Sequence, residues 1–326
     1  MTGARARTSI RRVRKWFVLF AASIFAVAAC GARTGLRDAP VGVDAGPDSV
    51  PIDAGPDTAD VAEEPDAVDP FPDVAVVNCE EAGISYIYVI SAGDELLRFS
   101  PPDLSFTSIG TIECPSASGA TPFSMAVDRQ GVAYVVFSDG ELFRVSTLTA
   151  SCKATGFVAG QSGFPPTFGM GFSANVSDPG ETLFVSGTTS DDAGTISTLA
   201  SIDTTTFNLT VVAQYSQDIG NPELTGTADG RLFGFGPGLP DSHVAEIEKS
   251  TAKVTSDVHL QLDQSMNSSW AFAFWGGDFY FFTLDDSGAT VVHRYTPGGT
   301  TAPPAVASID SVVIVGAGVS TCAPSE

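Results

Sequence analysis

The sequence is poor in positive charge. Its 326 residues include 16 lysines and arginines against 38 aspartates and glutamates, which gives a formal net charge of −22. Six of the basic residues lie between Arg5 and Lys15, so the remainder of the chain is still more acidic. Because nucleic acids and anionic headgroups are bound through clustered lysine and arginine, we predict that this chain binds no nucleic acid.

Residues that commonly carry chemistry are also scarce. The three histidines, His243, His259 and His293, lack the i, i+4 spacing of a helical metal site, and we interpret them as solvated strand positions. Neither a Gly-x-Ser-x-Gly turn nor a His-Glu-x-x-His motif occurs. The sequence therefore favours a protein that is not an enzyme, and it assigns no catalytic residue.

The N-terminus has the features of a secretion signal. Basic residues precede an apolar run, Trp16 to Ala29, that is too short to span a bilayer permanently. The run ends in Val27-Ala28-Ala29-Cys30, which resembles the lipobox of bacterial lipoproteins. The resemblance implies that residues 1–29 are a cleaved signal peptide and that Cys30 carries lipid, including palmitate. An ordinary signal followed by an incidental cysteine is the alternative.

The residue after Cys30 bears on the destination of the chain. Gly31 stands where an aspartate would retain a Gram-negative lipoprotein in the inner membrane. By this analogy we expect an outer-membrane lipoprotein that faces either the periplasm or the cell surface. We expect the membrane to be contacted through the lipid anchor alone.

Residues 30–78 are predicted to be a disordered acidic tether. Proline, aspartate, alanine and valine dominate the segment, and the motif Asp-Ala-Gly-Pro-Asp occurs at residues 44–48 and again at 53–57. Such a composition buries too little apolar surface to offset the entropy of ordering the chain, and its like charges keep it extended.

A repeat runs through residues 79–326, which we take as one domain. Each of five segments has an alternating aromatic strand, a polar turn and a second strand, with almost no helical periodicity. The aligned aromatic residues stand 46 to 50 positions apart: Tyr88, Tyr134, Phe184, Phe233 and Tyr280. This period predicts one four-stranded unit per repeat.

The repeats, from Ile84 to Cys322, resemble those of β-propellers. The resemblance implies an all-β ring of about five four-stranded blades. No repeat carries the Trp-Asp dipeptide or the kelch glycine pair, so the resemblance does not extend to a functional family.

The end of the chain is predicted to close the ring. Short apolar segments precede most of the aromatic strands, as expected of inner strands at the axis, but the first repeat has no equally good one. Residues Val312 to Val315 are such a strand without a following repeat, so we expect them to supply the inner strand of the first blade. The competing interpretation is that Val74 to Val77 fill this place.

Four cysteines besides Cys30 can form disulfides in an extracytoplasmic compartment. Four cysteines allow three pairings, and the propeller arrangement favours one of them. Cys79 and Cys322 would lie at the same turn, where a bridge replaces the missing link between first and last strands. Cys114 and Cys152 would then join the neighbouring first and second blades.

Aspartates near the strands are the remaining candidates for chemistry. Some sugar-lactonase propellers hold a metal with such carboxylates, which would make Asp128, Asp229 and Asp285 ligands of a divalent cation in the axial funnel. The implied function is a metal-dependent extracytoplasmic hydrolase or lactonase. Aspartates at turns also bond their own backbone, and we favour that explanation, with no cofactor. The preferred function is a monomeric binding or assembly module whose ligand is an envelope protein or glycan.

Overall fold

The structure is a computed structural model, and it describes residues 86–191, 194–238, 241–262 and 269–326, without the side chains of 189–196. The predicted signal peptide, Cys30, the tether and Cys79 lie outside the described residues. The predictions made for them therefore remain predictions.

In the described residues, twenty strands form five antiparallel sheets of four strands each. The one helical segment in the described part of the chain is a 3-10 turn at Gln161–Gly163. Within the same residues no helix has the length and apolar character needed to cross a membrane. The prediction of an all-β propeller with five four-stranded blades is confirmed.

Each blade begins at the axis with a short inner strand. The inner strands are β4 (Pro122–Val127), β8 (Gly169–Ala174), β12 (Glu223–Gly226), β16 (Trp270–Trp275) and β20 (Ile314–Gly318). The second strands carry the five aligned aromatic residues and are β1 (Ile87–Ser91), β5 (Val132–Phe137), β9 (Glu181–Asp191), β13 (Leu232–Gly236) and β17 (Asp278–Leu284).

The outer half of each blade is a hairpin. Its third strands are β2 (Glu95–Ser100), β6 (Leu142–Ser146), β10 (Gly194–Ile202), β14 (Ser242–Glu248) and β18 (Thr290–Tyr295). The outermost strands are β3 (Ser105–Thr111), β7 (Cys152–Ala154), β11 (Leu209–Gln214), β15 (Lys253–Leu260) and β19 (Ala305–Ile309). Blades one to five are numbered by the order of their second strands.

Five apolar clusters hold the blades together, one at each boundary between neighbouring blades. Strand β1 shows how a period of two produces them: Val89 faces blade five, whereas Tyr88 and Ile90 face blade two. Because both faces of a blade are covered, the second strands β1, β5 and β13 are buried along their whole length. A fully buried side chain such as Phe282 contributes about 1.5–3 kcal/mol.

The last strand closes the ring, as predicted. β20 pairs with β1 in antiparallel register, with Ala317 opposite Val89. The strand begins at Ile314, two residues later than expected, and extends to Gly318. The competing inner strand at residues 74–77 lies outside the described residues, and the place it would fill is occupied by β20.

The inner strands approach one another so closely that some positions accept only glycine. A Cβ atom on Gly226 would lie 2.2 Å from the carbonyl oxygen of Phe172 in the neighbouring blade. A Cβ atom on Gly318 would lie 2.8 Å from the backbone nitrogen of Val127. The middle of the axis is consequently filled by backbone, with no room for a water molecule.

The predicted bridge between Cys114 and Cys152 is present, with 5.1 Å between the Cα atoms. It ties the segment after β3 to the first residue of β7. Cys322 is also disulfide-bonded, and its partner lies outside the described residues. The pairing of Cys79 with Cys322 stays a prediction.

Candidate functional site

A cleft of about 620 Å³ opens between blades two and three. This volume lies within the range of about 300–1,000 Å³ that is usual for small-molecule sites. We call it the inter-blade cleft, and it is lined by Asp128, Gln130, Tyr134, Arg144, Lys153, Ala154, Thr155, Gly156, Thr204, Thr205 and Phe207. The sequence led us to expect a site on the axis of the ring. This cleft instead lies between two blades.

One wall of the cleft is a row of side chains that crosses blade two. Tyr134 on β5 is opposite Arg144 on β6, and Arg144 is opposite Lys153 on β7. Directly opposed residues share a face of the sheet, and like charges in such a pair are destabilising. The chain has only eight basic residues after Cys79, yet two of them are placed side by side here. The arrangement suits an anionic ligand.

The position of Lys153 depends on a very short strand. β7 has three residues, and its pairing with β6 is limited to three positions. The Cys114–Cys152 disulfide holds the residue immediately before Lys153. The disulfide therefore anchors Lys153, because the short pairing of β7 with β6 would by itself hold this residue weakly.

The opposite wall is the turn between β10 and β11 in blade three. The N–H of Phe207 donates to the carbonyl oxygen of Asp203 at 2.7 Å, and Phe207 has a left-handed φ of 58°. Ala150 and Ala252 occupy the same turn position in blades two and four, also with positive φ. The turn therefore does not require an aromatic residue, and blade three alone of these three places a ring beside the cleft.

A glutamine fixes this turn from outside. The Gln161 side chain donates to the carbonyl oxygen of Phe207 at 2.9 Å and accepts from the N–H of Leu209 at 3.0 Å. On the inner side, Thr204 of blade three and Tyr134 of blade two both line the cleft. Burial raises the pKa of Tyr134 to about 12.

Asp128 lies at the buried end of the cleft. Its carboxylate accepts a hydrogen bond from the N–H of Val132 at 2.8 Å. Burial raises the pKa of Asp128 to about 7, although the Val132 N–H and the charge of Arg144 oppose the shift. Near neutral pH the group therefore exists in both protonation states, so it can donate or accept a hydrogen bond.

The three aspartates that were candidate metal ligands do not come together. Asp128 and Asp229 follow the inner strands β4 and β12, whereas Asp285 follows the second strand β17 and so lies at the opposite end of the ring. Asp229 accepts from Arg231 at 3.0 Å, and Asp285 accepts from the N–H of Ala289 at 3.0 Å. Each carboxylate thus has the turn contacts that we favoured, and the metal-dependent hydrolase stays a prediction.

Within the described ranges, one group of three or more potential metal ligands is present, and it lies on blade four: His243, Asp257 and His259. We did not predict this group, because the histidines are 16 positions apart and were assessed for helical spacing. In the hairpin of β14 and β15, His243 is directly opposite His259. Their nearly equal distance from the hairpin turn, five positions before Glu248 and six after Lys253, is the signal that could have revealed the pair.

A smaller cavity of about 220 Å³ lies at one end of the axis. We call it the axial mouth, and it is lined by Phe123, Glu223, Ser269, Trp270 and Val315. The Ser124 hydroxyl donates to the Glu223 carboxylate at 2.6 Å. Burial raises the pKa of Glu223 to about 8, so the group is mostly protonated at neutral pH. The mouth is a blind pit because the axis beyond it is filled.

Comparison with known proteins places the chain in no family. No family model matches it, and no curated protein matches it. Among solved structures it is similar to a chain described as "Crystal structure of Nidogen/Laminin Complex", at 10% identity and a TM-score of 0.45. The similarity covers 74% of this chain and 99% of that one. The propeller assignment therefore stands on the strand pairing of the chain itself.

Proposed function

We propose that this chain is a membrane-anchored extracytoplasmic binding module that holds an acidic saccharide of the cell envelope in the inter-blade cleft. The observation that carries the proposal is the pairing of Arg144 with Lys153 on one wall of the cleft. In a chain with a net charge of −22, two adjacent cations mark the place where a carboxylate or phosphate is attracted.

The rest of the cleft suits a sugar ring. The guanidinium of Arg144 and the ammonium of Lys153 form charge-assisted hydrogen bonds with the carboxylate of a uronic acid. The hydroxyls of Thr204 and Thr205 match sugar hydroxyls, and the ring of Phe207 offers an apolar surface to the C–H face of the sugar. If the cleft binds an acidic side chain of a protein and not a saccharide, that result would replace this proposal.

A matched pair of lysine variants tests the proposal. We expect oligogalacturonate to bind the full chain in a calorimetric titration and neutral maltotriose not to bind. Lys153→Gln removes one cation of the cleft and should weaken binding about tenfold or more, the effect of about 1.5–3 kcal/mol for a charged hydrogen bond. Lys253→Gln removes an exposed lysine from β15 of blade four and should leave the affinity unchanged.

Two results would reject the saccharide proposal. One is equal weakening by both lysine substitutions, which would indicate nonspecific charge attraction. The other is an absence of binding to every acidic saccharide tested, including glucuronate and phosphorylated oligosaccharides, while an acidic peptide binds and loses affinity with Lys153→Gln.

The membrane anchor is supported by the lipobox resemblance at Val27-Ala28-Ala29-Cys30 and by the acidic segment that follows it. Metabolic labelling with a palmitate analogue in a Gram-negative host tests it. We expect the wild type to be labelled and Cys30→Ser not to be labelled. The Cys114→Ser/Cys152→Ser variant, which keeps Cys30, should retain the label. Labelling that persists in Cys30→Ser would refute the anchor.

A further inference from the structure

His243, Asp257 and His259 bring three potential metal-ligating atoms together on the outer hairpin of blade four. The three atoms lie within 4.8 Å of one another. His243 Nδ1 is 3.1 Å from Asp257 Oδ2, and His259 Nε2 is 3.7 Å from the same oxygen. The two imidazole ring centroids are 4.6 Å apart.

These separations fit a tetrahedral metal ion. Zinc binds histidine nitrogen and carboxylate oxygen at about 2.0–2.1 Å, which places ligand atoms about 3.3–3.4 Å apart at tetrahedral angles. The distances of 3.1 and 3.7 Å lie on either side of this value. The His259 side chain is 56% exposed, so its ring can turn toward the ion without displacement of the backbone.

The surroundings resemble the outer shell of a metal site. The Gln217 side chain, which follows β11 of blade three, donates to Asp257 Oδ2 at 2.8 Å and so orients the carboxylate. Asp241 Oδ2 lies 3.9 Å from His259 Nδ1, the ring nitrogen that does not face Asp257. A carboxylate beside the second nitrogen of a ligating histidine fixes its tautomer and orientation.

We propose that His243, Asp257 and His259 bind one divalent transition-metal ion, with Zn²⁺ as the best match. Two imidazoles and one carboxylate suit zinc and its neighbours in the first transition series, whereas calcium and magnesium prefer oxygen ligands alone. Three protein ligands leave a fourth position open to water or to a ligand. This proposal does not depend on saccharide binding in the inter-blade cleft.

The site has two consequences for the propeller. It ties β14 to the outermost strand β15, which otherwise has pairing on one edge only. It also lies where β14 begins and β15 ends, which is the end of blade four at which β12 begins with Glu223. The site therefore lies at the same end of the ring as the axial mouth.

The test measures metal binding in the full, untagged chain with Cys30→Ser, so that neither a histidine tag nor a free thiol contributes. We expect one equivalent of Zn²⁺ to bind in a calorimetric titration, and Co²⁺ to give the visible absorption of tetrahedral coordination. His259→Gln and Asp257→Asn should each weaken binding about tenfold or more. His293→Gln changes the histidine on β18, whose Nδ1 is 3.1 Å from the carbonyl oxygen of Pro303, and should leave binding unchanged.

Zinc should also raise the thermal unfolding midpoint of the Cys30→Ser chain and of its His293→Gln variant, because an ion that binds only the folded state stabilises it. The same addition should raise the unfolding midpoint of His259→Gln by less, because that variant binds zinc more weakly. The proposal is overturned if no zinc binds at millimolar concentration, or if binding is weakened less than threefold by both His259→Gln and Asp257→Asn.

Discussion

Glu223 shows how burial at one residue sets the chemistry of the axial mouth. Its carboxyl is enclosed by inner strands of neighbouring blades and has a folded-state pKa of about 8, against an ordinary value of 4.5. A raised carboxyl pKa means that ionisation opposes folding. The destabilisation is absent below about pH 4.5, where both states are protonated, and it grows as the pH rises toward 8.

The substitution Glu223→Gln keeps the shape of this side chain and removes its titration. We expect the free energy of unfolding of the variant to rise relative to wild type by more than about 1 kcal/mol between pH 5 and pH 8. Urea denaturation at the two pH values measures the change. A difference between variant and wild type that stays constant with pH would contradict the burial of an ionisable group at this position.

Gly226 tests the close approach of the inner strands. Gly226→Ala places a methyl group 2.2 Å from the carbonyl oxygen of Phe172, so β12 must move away from β8. We expect a loss of about 1–3 kcal/mol or more in urea denaturation. Gly93→Ala is the matched control, because its Cβ has only the Ser91 hydroxyl at 3.7 Å, and it should change stability by less than about 0.5 kcal/mol. Equal effects would contradict the packed axis.

At the scale of elements, β7 links stability to the proposed binding site. The Cys114–Cys152 bridge spans a sequence separation of 38, so the chain-entropy model assigns it about 4 kcal/mol. We expect the Cys114→Ser/Cys152→Ser variant to lose several kcal/mol in urea denaturation. It should also bind oligogalacturonate more weakly under conditions where it remains folded, because Lys153 lies on the loosened strand. Unchanged affinity in the folded variant would show that the bridge does not position the cleft.

The elements that could be predicted from the sequence are those with local signals. The aromatic residues of the second strands, such as Tyr88 and Tyr134, repeat at a nearly constant spacing, and β20 is apolar and lacks a following repeat. Both features can be recognised in the sequence without knowing which blades are neighbours in the ring. The blade count and the closure by the C-terminal strand followed from them.

The sites could not be predicted because they depend on which side chains share a face. Lys153 and Thr204 are far apart in the sequence and meet only because blades two and three are adjacent. His243 and His259 meet because the register of one hairpin places them opposite each other. A single residue of slip in either hairpin would turn these side chains to the other face.

At the scale of the whole molecule, the ring depends on its last strand. β20 supplies Val315 to the axial mouth, pairs with β1 and packs against the inner strands of blades two and five. Without it, blade one would have an unpaired inner edge and the ring would be open. The packed axis and the axial mouth, to which β20 contributes, depend on this closed arrangement.

Hydrogen–deuterium exchange of the C-terminal residues tests this closure most directly. In the native full chain we predict that the amides of Ile314–Gly318 exchange as slowly as those of the interior strand β5, and that both become exposed in the same cooperative unfolding event. Exchange of Ile314–Gly318 within seconds, while β5 remains protected, would show that the tail is not part of the ring.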